Sequence, residues 1–442
     1  MKKYSLFKYT WPIFIEQLLQ IFVGNIDQIM IAADSQNSVA AVGNCNTIYT
    51  FIIMLFSFTS MALSILVSQY MGSNQQKKVS QVFILSLILN LLFSLMLVGI
   101  LLPFQSTIFS WMQIPTELLN ATSIYLTIVV LGLPIQSTYQ TYSMMYRTQG
   151  MMKQSMFITA FVNILNIVGN YCLIFGIGPI PALHVAGAAI SSVGSRLIGL
   201  CILIYVFHKQ YKLEISKEDM KADWKKQVSL LFIIGLPAAG EGVSYNLSQL
   251  VIMSFINSFG TLVINTKVYV GVLASFSYVF GTALSEAAQI IVGYLMGAKD
   301  YEGTHKQVMK VMKWSIIVSV IISTFMYLTS DMLLSLFTTD PYILKLGKQI
   351  LLIDIFLEIG RAVNTTMVYC LQGCGDVKFP MTLGITCMWG IATLFSYILG
   401  IHFGIGLIGI WIAMTMDEGV RAILFIYRWF QGKWKTKTLV HA

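Results

Sequence analysis

Long apolar runs recur from one end of the chain to the other, with short polar breaks between them. A helix crosses a bilayer with roughly 20 predominantly apolar residues, and each run is long enough. The pattern predicts spans at about 9–33, 44–69, 79–102, 118–145, 155–177, 184–207, 228–256, 267–296, 311–330, 343–370, 379–400 and 405–429. Several exceed what a perpendicular helix needs, which implies tilt or extension past the lipid. The expected fold class is an all-α membrane protein of about twelve transmembrane helices.

The runs also repeat. At an offset of 225, Pro12 maps to Pro237, Glu16 to Glu241, Met71-Gly72 to Met296-Gly297, Gly150 to Gly375 and Lys153 to Lys378. Matches in this order at one offset predict two pseudo-symmetric six-helix lobes. Six spans per half bring both halves into the membrane from the same side, a parallel repeat. Residues 1–207 form the expected N-terminal lobe. The polar stretch 208–227 is the linker, and 228–442 form the C-terminal lobe with a short basic tail.

Composition removes the main competing classes. Hydrophobic residues make up 56% of the chain and charged ones 11%, against about 25% charged in a soluble domain. No soluble domain of useful size is left over. The net charge of +9 shows no basic face with interleaved aromatics, so nucleic acid is not an expected partner. The basic residues sort by side instead. Lys2, Lys3 and Lys8, Lys77 and Lys78, Arg147 and Lys153, the linker lysines including Lys212, then Lys299, Lys306, Lys378 and the tail fall together, whereas 34–44, 103–117 and 178–183 hold none. The positive-inside rule then makes both termini cytoplasmic. The run 9–33 carries Glu16 and Asp27 and lacks a clear cleavage site, so it reads as a first span, not a leader. The six cysteines lie in or beside apolar runs, which argues against a disulfide framework.

Ionisable residues within spans cost at least about 2.5–3.5 kcal/mol each at the centre and need a reason. Span 1 has Glu16 and Asp27, span 7 has Glu241, and span 8 has Glu286 near its end. Span 10 has Asp354, Glu358 and Arg361, and span 12 has Asp417, Glu418 and Arg421. Glu358 and Arg361 can pair at i, i+3, and Asp417 and Arg421 at i, i+4. Burial disfavours a charged carboxylate, so an unpaired intramembrane acid can take up a proton or cation reversibly. Asp27 has no basic residue in its own span. Glu241 has Ser244, Tyr245, Asn246 and Gln249 nearby. Asn163, Asn166 and Asn170 lie on one face of span 5, where Ser191 and Ser192 of span 6 can join them. Pro12, Pro134 and Pro237 can interrupt their helices.

Taken in order, several motifs resemble the multidrug and toxic compound extrusion (MATE) family. They are Trp11-Pro12, Asp27-Gln28-Ile29-Met30, Ala40-Ala41-Val42-Gly43, Val67-Ser68-Gln69-Tyr70-Met71-Gly72, Leu173-Ile174-Phe175-Gly176, Ala186-Gly187-Ala188-Ala189-Ile190 and Gly373-Cys374-Gly375-Asp376. The resemblance spans essentially the whole chain. It implies two lobes in a V around a central cavity, and export of organic, often cationic compounds in exchange for protons or sodium ions.

Asp27 matches the family's first-span coupling acid. Asn166 and Asn170 match the polar pair of span 5, and Ser192 a hydroxyl of span 6. Many members carry Asp where this chain has Asn170, which tilts the expectation toward protons, with sodium at Asp27 the only metal contemplated. Glu241 matches a seventh-span acid of other branches, and Tyr245, Gln249, Glu358 and Arg361 complete a second candidate site. The expectation is thus a monomeric antiporter of the cell (inner) membrane, without cofactor, whose partners are small organic molecules and lipid. A lipid-linked oligosaccharide flippase is the alternative, and would need several cavity Arg or Lys beyond Arg361, Arg196 and Arg421. A membrane enzyme is not expected, because His184, His208, His305, His402 and His441 are scattered.

Overall fold

Helix propensity and the absence of water in a bilayer leave helices to satisfy the backbone, and the computed structural model is built from them. It describes residues 6–179, 181–211, 214 and 217–440. Lys2, Lys3, Lys212 and His441 lie outside the described residues.

Twelve long helices follow the predicted spans among the described residues. They are α1 (Leu6–Asp34), α2 (Gln36–Gly72), α3 (Gln76–Trp111), α4 (Leu119–Leu131 continued by Leu133–Thr148), α5 (Met152–Phe175), α6 (His184–Gln210), α7 (Trp224–Asn257), α8 (Thr261–Gly297), α9 (Tyr301–Leu328), α10 (Pro341–Cys374), α11 (Lys378–His402) and α12 (Leu407–Phe430). Eight of them are long and apolar enough to cross a membrane, nine when the bent α4 counts as one span. The other three, α1, α10 and α12, carry ionisable residues along the span: Glu16 and Asp27 in α1, Asp354, Glu358 and Arg361 in α10, and Asp417, Glu418 and Arg421 in α12. Large apolar side chains such as Ile29, Ile164, Ile321 and Phe356 stay exposed, as a lipid-facing surface requires.

Of the three prolines, Pro134 sits at a break, where α4 bends by 47°. Pro12 and Pro237 do not interrupt their helices: α1 and α7 run through them. One missing N–H removes a single rung, and the flanking rungs hold the helix.

The chain forms two compact units. One contains 15–67 and 75–235, the other the start of α1 to Phe14, Ser68–Asn74 and Leu236 onward. The chain therefore changes unit within α1, two residues after Pro12, and within α7, just before the equivalent Pro237. The polar stretch 208–227 is not the changeover point, because the first turns of α7 pack on α2. Phe232 stacks on Phe58 at 5.9 Å, and a Cβ on Gly235 would lie 2.7 Å from the Phe58 carbonyl oxygen.

Each unit has its own apolar core, and the cores correspond. Ile31, Cys45, Phe109, Tyr125, Leu126 and Val185 are buried in the first unit. Their positions plus 225 are Ile256, Val270, Leu334, Ile350, Leu351 and Ile410, buried in the second. Backbone detail repeats as well. Gly150 (φ 77°) ends α4 with Gly150 N–H donating to Arg147 O and Met151 N–H to Tyr146 O. Gly375 (φ 95°) ends α10 with the equivalent pair, Gly375 to Gln372 and Asp376 to Leu371. Both are left-handed C-caps that glycine adopts without a Cβ penalty. Asp340 opens α10 by accepting from the Tyr342 and Ile343 N–H groups ahead of Pro341.

Candidate ion and cargo site

In the first unit, small residues bring α5 and α6 into contact. A Cβ on Gly169 would lie 2.4 Å from Ser191 Oγ, and one on Gly187 would lie 2.4 Å from Leu173 O. This approach sets the amide face of α5 against the serines of α6 and both beside α1. Asn170 Nδ2 donates to Asp27 Oδ1 at 2.6 Å. With its nitrogen toward the carboxylate, Asn166 donates to Asp27 Oδ1 at 3.0 Å and Oδ2 at 3.2 Å and accepts from Ser192 Oγ at 3.2 Å. The opposite orientation would set its oxygen against the carboxylate. Ser191 Oγ donates to the Asn166 carbonyl at 2.8 Å. The four residues expected together, Asp27, Asn166, Asn170 and Ser192, are together. Asn163 lines the adjoining cavity, with its amide nitrogen unpartnered among the described residues.

Two cavities of the first unit meet at Asp27. The larger, about 440 Å³, is lined by Glu16, Gln20, Asp27, Tyr139, Arg147 and Arg196 among others. The other, about 390 Å³, contains Asp27 and Arg196 as its only formally charged lining residues among those described. Glu16 is buried and committed: Arg147 Nη2 lies 2.7 Å from its Oε1, and Thr159 Oγ1 donates to it at 3.0 Å. The sequence reading placed Arg147 in a loop, but it lies in the last turn of α4 with its side chain turned inward. Arg196, on α6, was not associated with Asp27 by the sequence. Its Nη1 donates to Tyr49 OH at 2.6 Å, and its guanidinium lies 5.5 Å from that ring's centroid. Sequence spacing carries no signal for either arginine, because both meet their neighbours across helices.

The second unit holds a charge network between α10 and α12, which approach closely where a Cβ on Gly360 would lie 3.0 Å from Glu418. The expected pairs form: Arg361 with Glu358, and Arg421 with Asp417. Glu418 joins them. It lies 3.2 Å from Arg421 Nη2 and 3.7 Å from Arg361 Nε, and accepts from Asn364 Nδ2 at 2.6 Å. Asp354 accepts from Trp411 Nε1 at 3.1 Å. Glu241 is partly exposed and makes no hydrogen bond or ion pair among the described residues; it faces Gly384 of α11, within electrostatic range of Arg421. Tyr245 lies within electrostatic range of Arg361. Gln249, two turns past Glu241, forms no hydrogen bond with this cluster among the described residues. The six cysteines are free, and no group of three or more His, Cys, Asp or Glu among the described residues is arranged to hold a metal ion.

Two related bundles of apolar helices, each with buried charges, define a polytopic membrane transporter. The chain belongs to the MatE family, whose model matches residues 12–172 and 237–398. The two matched segments start 225 residues apart, the offset of the internal repeat. The chain is 38% identical over 437 residues, 99% of its length and 96% of the other protein's, to the "uncharacterized transporter YisQ" of Bacillus subtilis. It is 25% identical to the "probable multidrug resistance protein NorM" of Thermotoga maritima, covering 99% of this chain and 94% of that one. A solved outward-facing multidrug resistance MATE family transporter of the MOP superfamily shares the fold, with a TM-score of 0.88 at 20% identity over 98% of this chain and 96% of that one. A MOP superfamily transporter from Pyrococcus furiosus matches with a TM-score of 0.88 at 19% identity, over 98% of this chain and 96% of that one. The chain is therefore a MATE transporter, a multi-pass membrane protein and not an enzyme.

Proposed function

We propose that this protein exports organic, often cationic compounds in exchange for protons or sodium ions by alternating access, with Asp27 as the coupling group. The supporting observation is the geometry at Asp27: a carboxylate inside a bundle, facing a cavity, its charge held by the amides of Asn170 and Asn166. Neutralising Asp27 removes the charge to which both amides donate. That weakens the tie between α1 and α5 and frees α1 to shift about the changeover near Pro12. The amides then favour re-ionisation once the site faces the other side. A membrane potential supplies about 2.3 kcal/mol per charge per 100 mV, enough to bias such a cycle. Glu241, with Tyr245, Gln249, Glu358 and Arg361, is the second candidate region for cargo or ion.

On this reading the protein works as a monomer in the cell membrane with both termini cytoplasmic, needs no cofactor, and has small organic molecules and lipid as partners. The test is efflux of the organic cation ethidium from proteoliposomes with pH and sodium gradients imposed separately. Asp27→Asn is expected to abolish gradient-driven efflux while remaining folded in the membrane. Wild-type efflux by that variant would overturn the coupling role. Of the three arginines the flippase reading would use, Arg361 and Arg421 are each committed to a carboxylate, which leaves only Arg196, in the first-unit cavities.

A further inference from the structure

Arg196 has no place in the coupling scheme above, yet it shares both first-unit cavities with Asp27. We propose that Arg196 is a built-in counter-cation that makes the Asp27 site accept a proton and reject sodium. The inference rests on the reading of Asp27 as the coupling group.

The charge inventory around Asp27 is short. On α1, Glu16 lies three turns away and is paired with Arg147 of α4. From α2 come Tyr49 and Cys45, and from α4 Tyr125 and Tyr139. The lining residues from α5 are uncharged, namely Thr159, Val162, Asn163, Asn166 and Asn170, and α6 supplies Arg196. With Glu16 and Arg147 cancelling, Asp27 and Arg196 balance each other. They balance without touching: no ion pair joins them within 4.0 Å, since Asp27 is held by Asn170 and Asn166 and Arg196 by Tyr49.

Two consequences follow for a cation at Asp27. A proton neutralises the carboxylate at one oxygen and needs no other ligand. A metal ion needs several oxygen lone pairs, but both amides here present N–H to the carboxylate; the Asn166 oxygen accepts from Ser192, and the Asn170 oxygen, unpartnered among the described residues, would have to turn toward a sodium ion at Asp27. Either cation adds one positive charge beside the guanidinium and is weakened by it; the proton, held by an O–H bond, tolerates that loss, whereas a sodium ion held by ion pairing and few lone pairs does not. A fixed unit charge at this range in a protein interior alters cation affinity on the order of tenfold or more. Tyr49 is the device that keeps the charge in place: its hydroxyl accepts from Arg196, and its ring supports the guanidinium face.

The experiment measures binding of radioactive sodium ion to the purified full-length chain at alkaline pH, where Asp27 is ionised, alongside the ethidium assay. Wild-type protein is expected to show no Asp27-dependent sodium binding. Arg196→Gln should gain it, by on the order of tenfold, and Asp27→Asn placed in that background should remove it again. Arg196→Lys keeps the charge and should exclude sodium as wild type does. Sodium binding by wild type that Asp27→Asn abolishes would overturn the proposal whether or not the arginine variants fold. So would a monodisperse Arg196→Gln or Arg196→Met protein that binds no more sodium than wild type. Retained proton-driven ethidium efflux by Asp27→Asn would instead overturn the coupling role itself, so the two failures are distinguishable.

Discussion

Gly297 of α8 presses on Gln69 of α2: a Cβ on Gly297 would lie 1.9 Å from the Gln69 carbonyl oxygen. The reciprocal contact is present too, since a Cβ on Gly72 would lie 2.0 Å from the Tyr294 carbonyl oxygen. Residues 69 and 294 differ by 225, as do 72 and 297, so the crossing is its own image under the internal repeat. Met71-Gly72 and Met296-Gly297 recur in the sequence because each glycine admits the other helix's backbone.

Gly297→Ala must therefore push the end of α2 away from α8. Overpacking of this kind costs about 1–3 kcal/mol, and the obstructing atom is backbone, which cannot swing aside. The expected result is a melting temperature in detergent several degrees lower. Gly271→Ala on the same helix, with nothing within 4 Å, should leave it unchanged. Equal melting temperatures for both variants would show that the crossing relaxes freely.

Glu16 and Arg147 form a buried pair at 2.7 Å. Removing one partner leaves the other's buried charge uncompensated, typically at a cost of about 3–5 kcal/mol, whereas replacing both with neutral groups of similar size is often tolerated. Glu16→Ala should reduce the monodisperse fraction on size-exclusion chromatography sharply. Glu16→Gln combined with Arg147→Met should recover most of it. Failure of the double variant to recover would assign the loss to packing and to the Thr159 hydrogen bond rather than to charge.

The spans, the repeat and the grouping of Asp27 with Asn166, Asn170 and Ser192 were legible in the sequence because each is a property of order along the chain. Apolar run length sets the spans. The i, i+3, i+7 spacing puts the amides on one face, and Pro12 with Pro237 or Gly150 with Gly375 reveals the offset. The resemblance to a family then placed Asp27 opposite those amides. What stayed hidden depends on contacts between helices that no spacing encodes. Arg147 read as a loop charge because it sits one turn from a helix end. Arg196 read as minor because its partner Tyr49 lies on another helix, as do the Arg361 and Asn364 contacts that draw Glu418 into the second network. Pro12 and Pro237 read as interruptions, yet the helices bridge them, and only the position of the changeover between compact units shows where they act.

Asn170 gives a sharper test of the Asp27 geometry than Asp27 itself. A hydrogen bond to a charged group contributes about 1.5–3 kcal/mol, so Asn170→Leu should slow gradient-driven ethidium efflux on the order of tenfold or more with protein levels unchanged. Asn163→Leu should do much less, because its amide nitrogen has no partner to lose among the described residues. Equal effects from the two substitutions would mean that the amide face serves the cavity's polarity in general and not Asp27 in particular.

Glu418 stands between two arginines, and the count of charges around it decides which substitutions the second unit tolerates. Asp354, Glu358, Asp417 and Glu418 face only Arg361 and Arg421, so acids are in excess. Glu418→Gln leaves each guanidinium with a carboxylate, Glu358 for Arg361 and Asp417 for Arg421, and a Gln carbonyl can still accept from Asn364. It should change the melting temperature little. Arg421→Met removes the scarce charge and leaves Asp417 without its cation, next to Glu418, which then has only Arg361 at 3.7 Å among the described residues. That variant should lose about 3–5 kcal/mol, and adding Asp417→Asn should return part of it by removing the uncompensated charge. If Glu418→Gln proved as damaging as Arg421→Met, the α10–α12 contact would depend on hydrogen-bond geometry at Glu418 and not on the balance of charge.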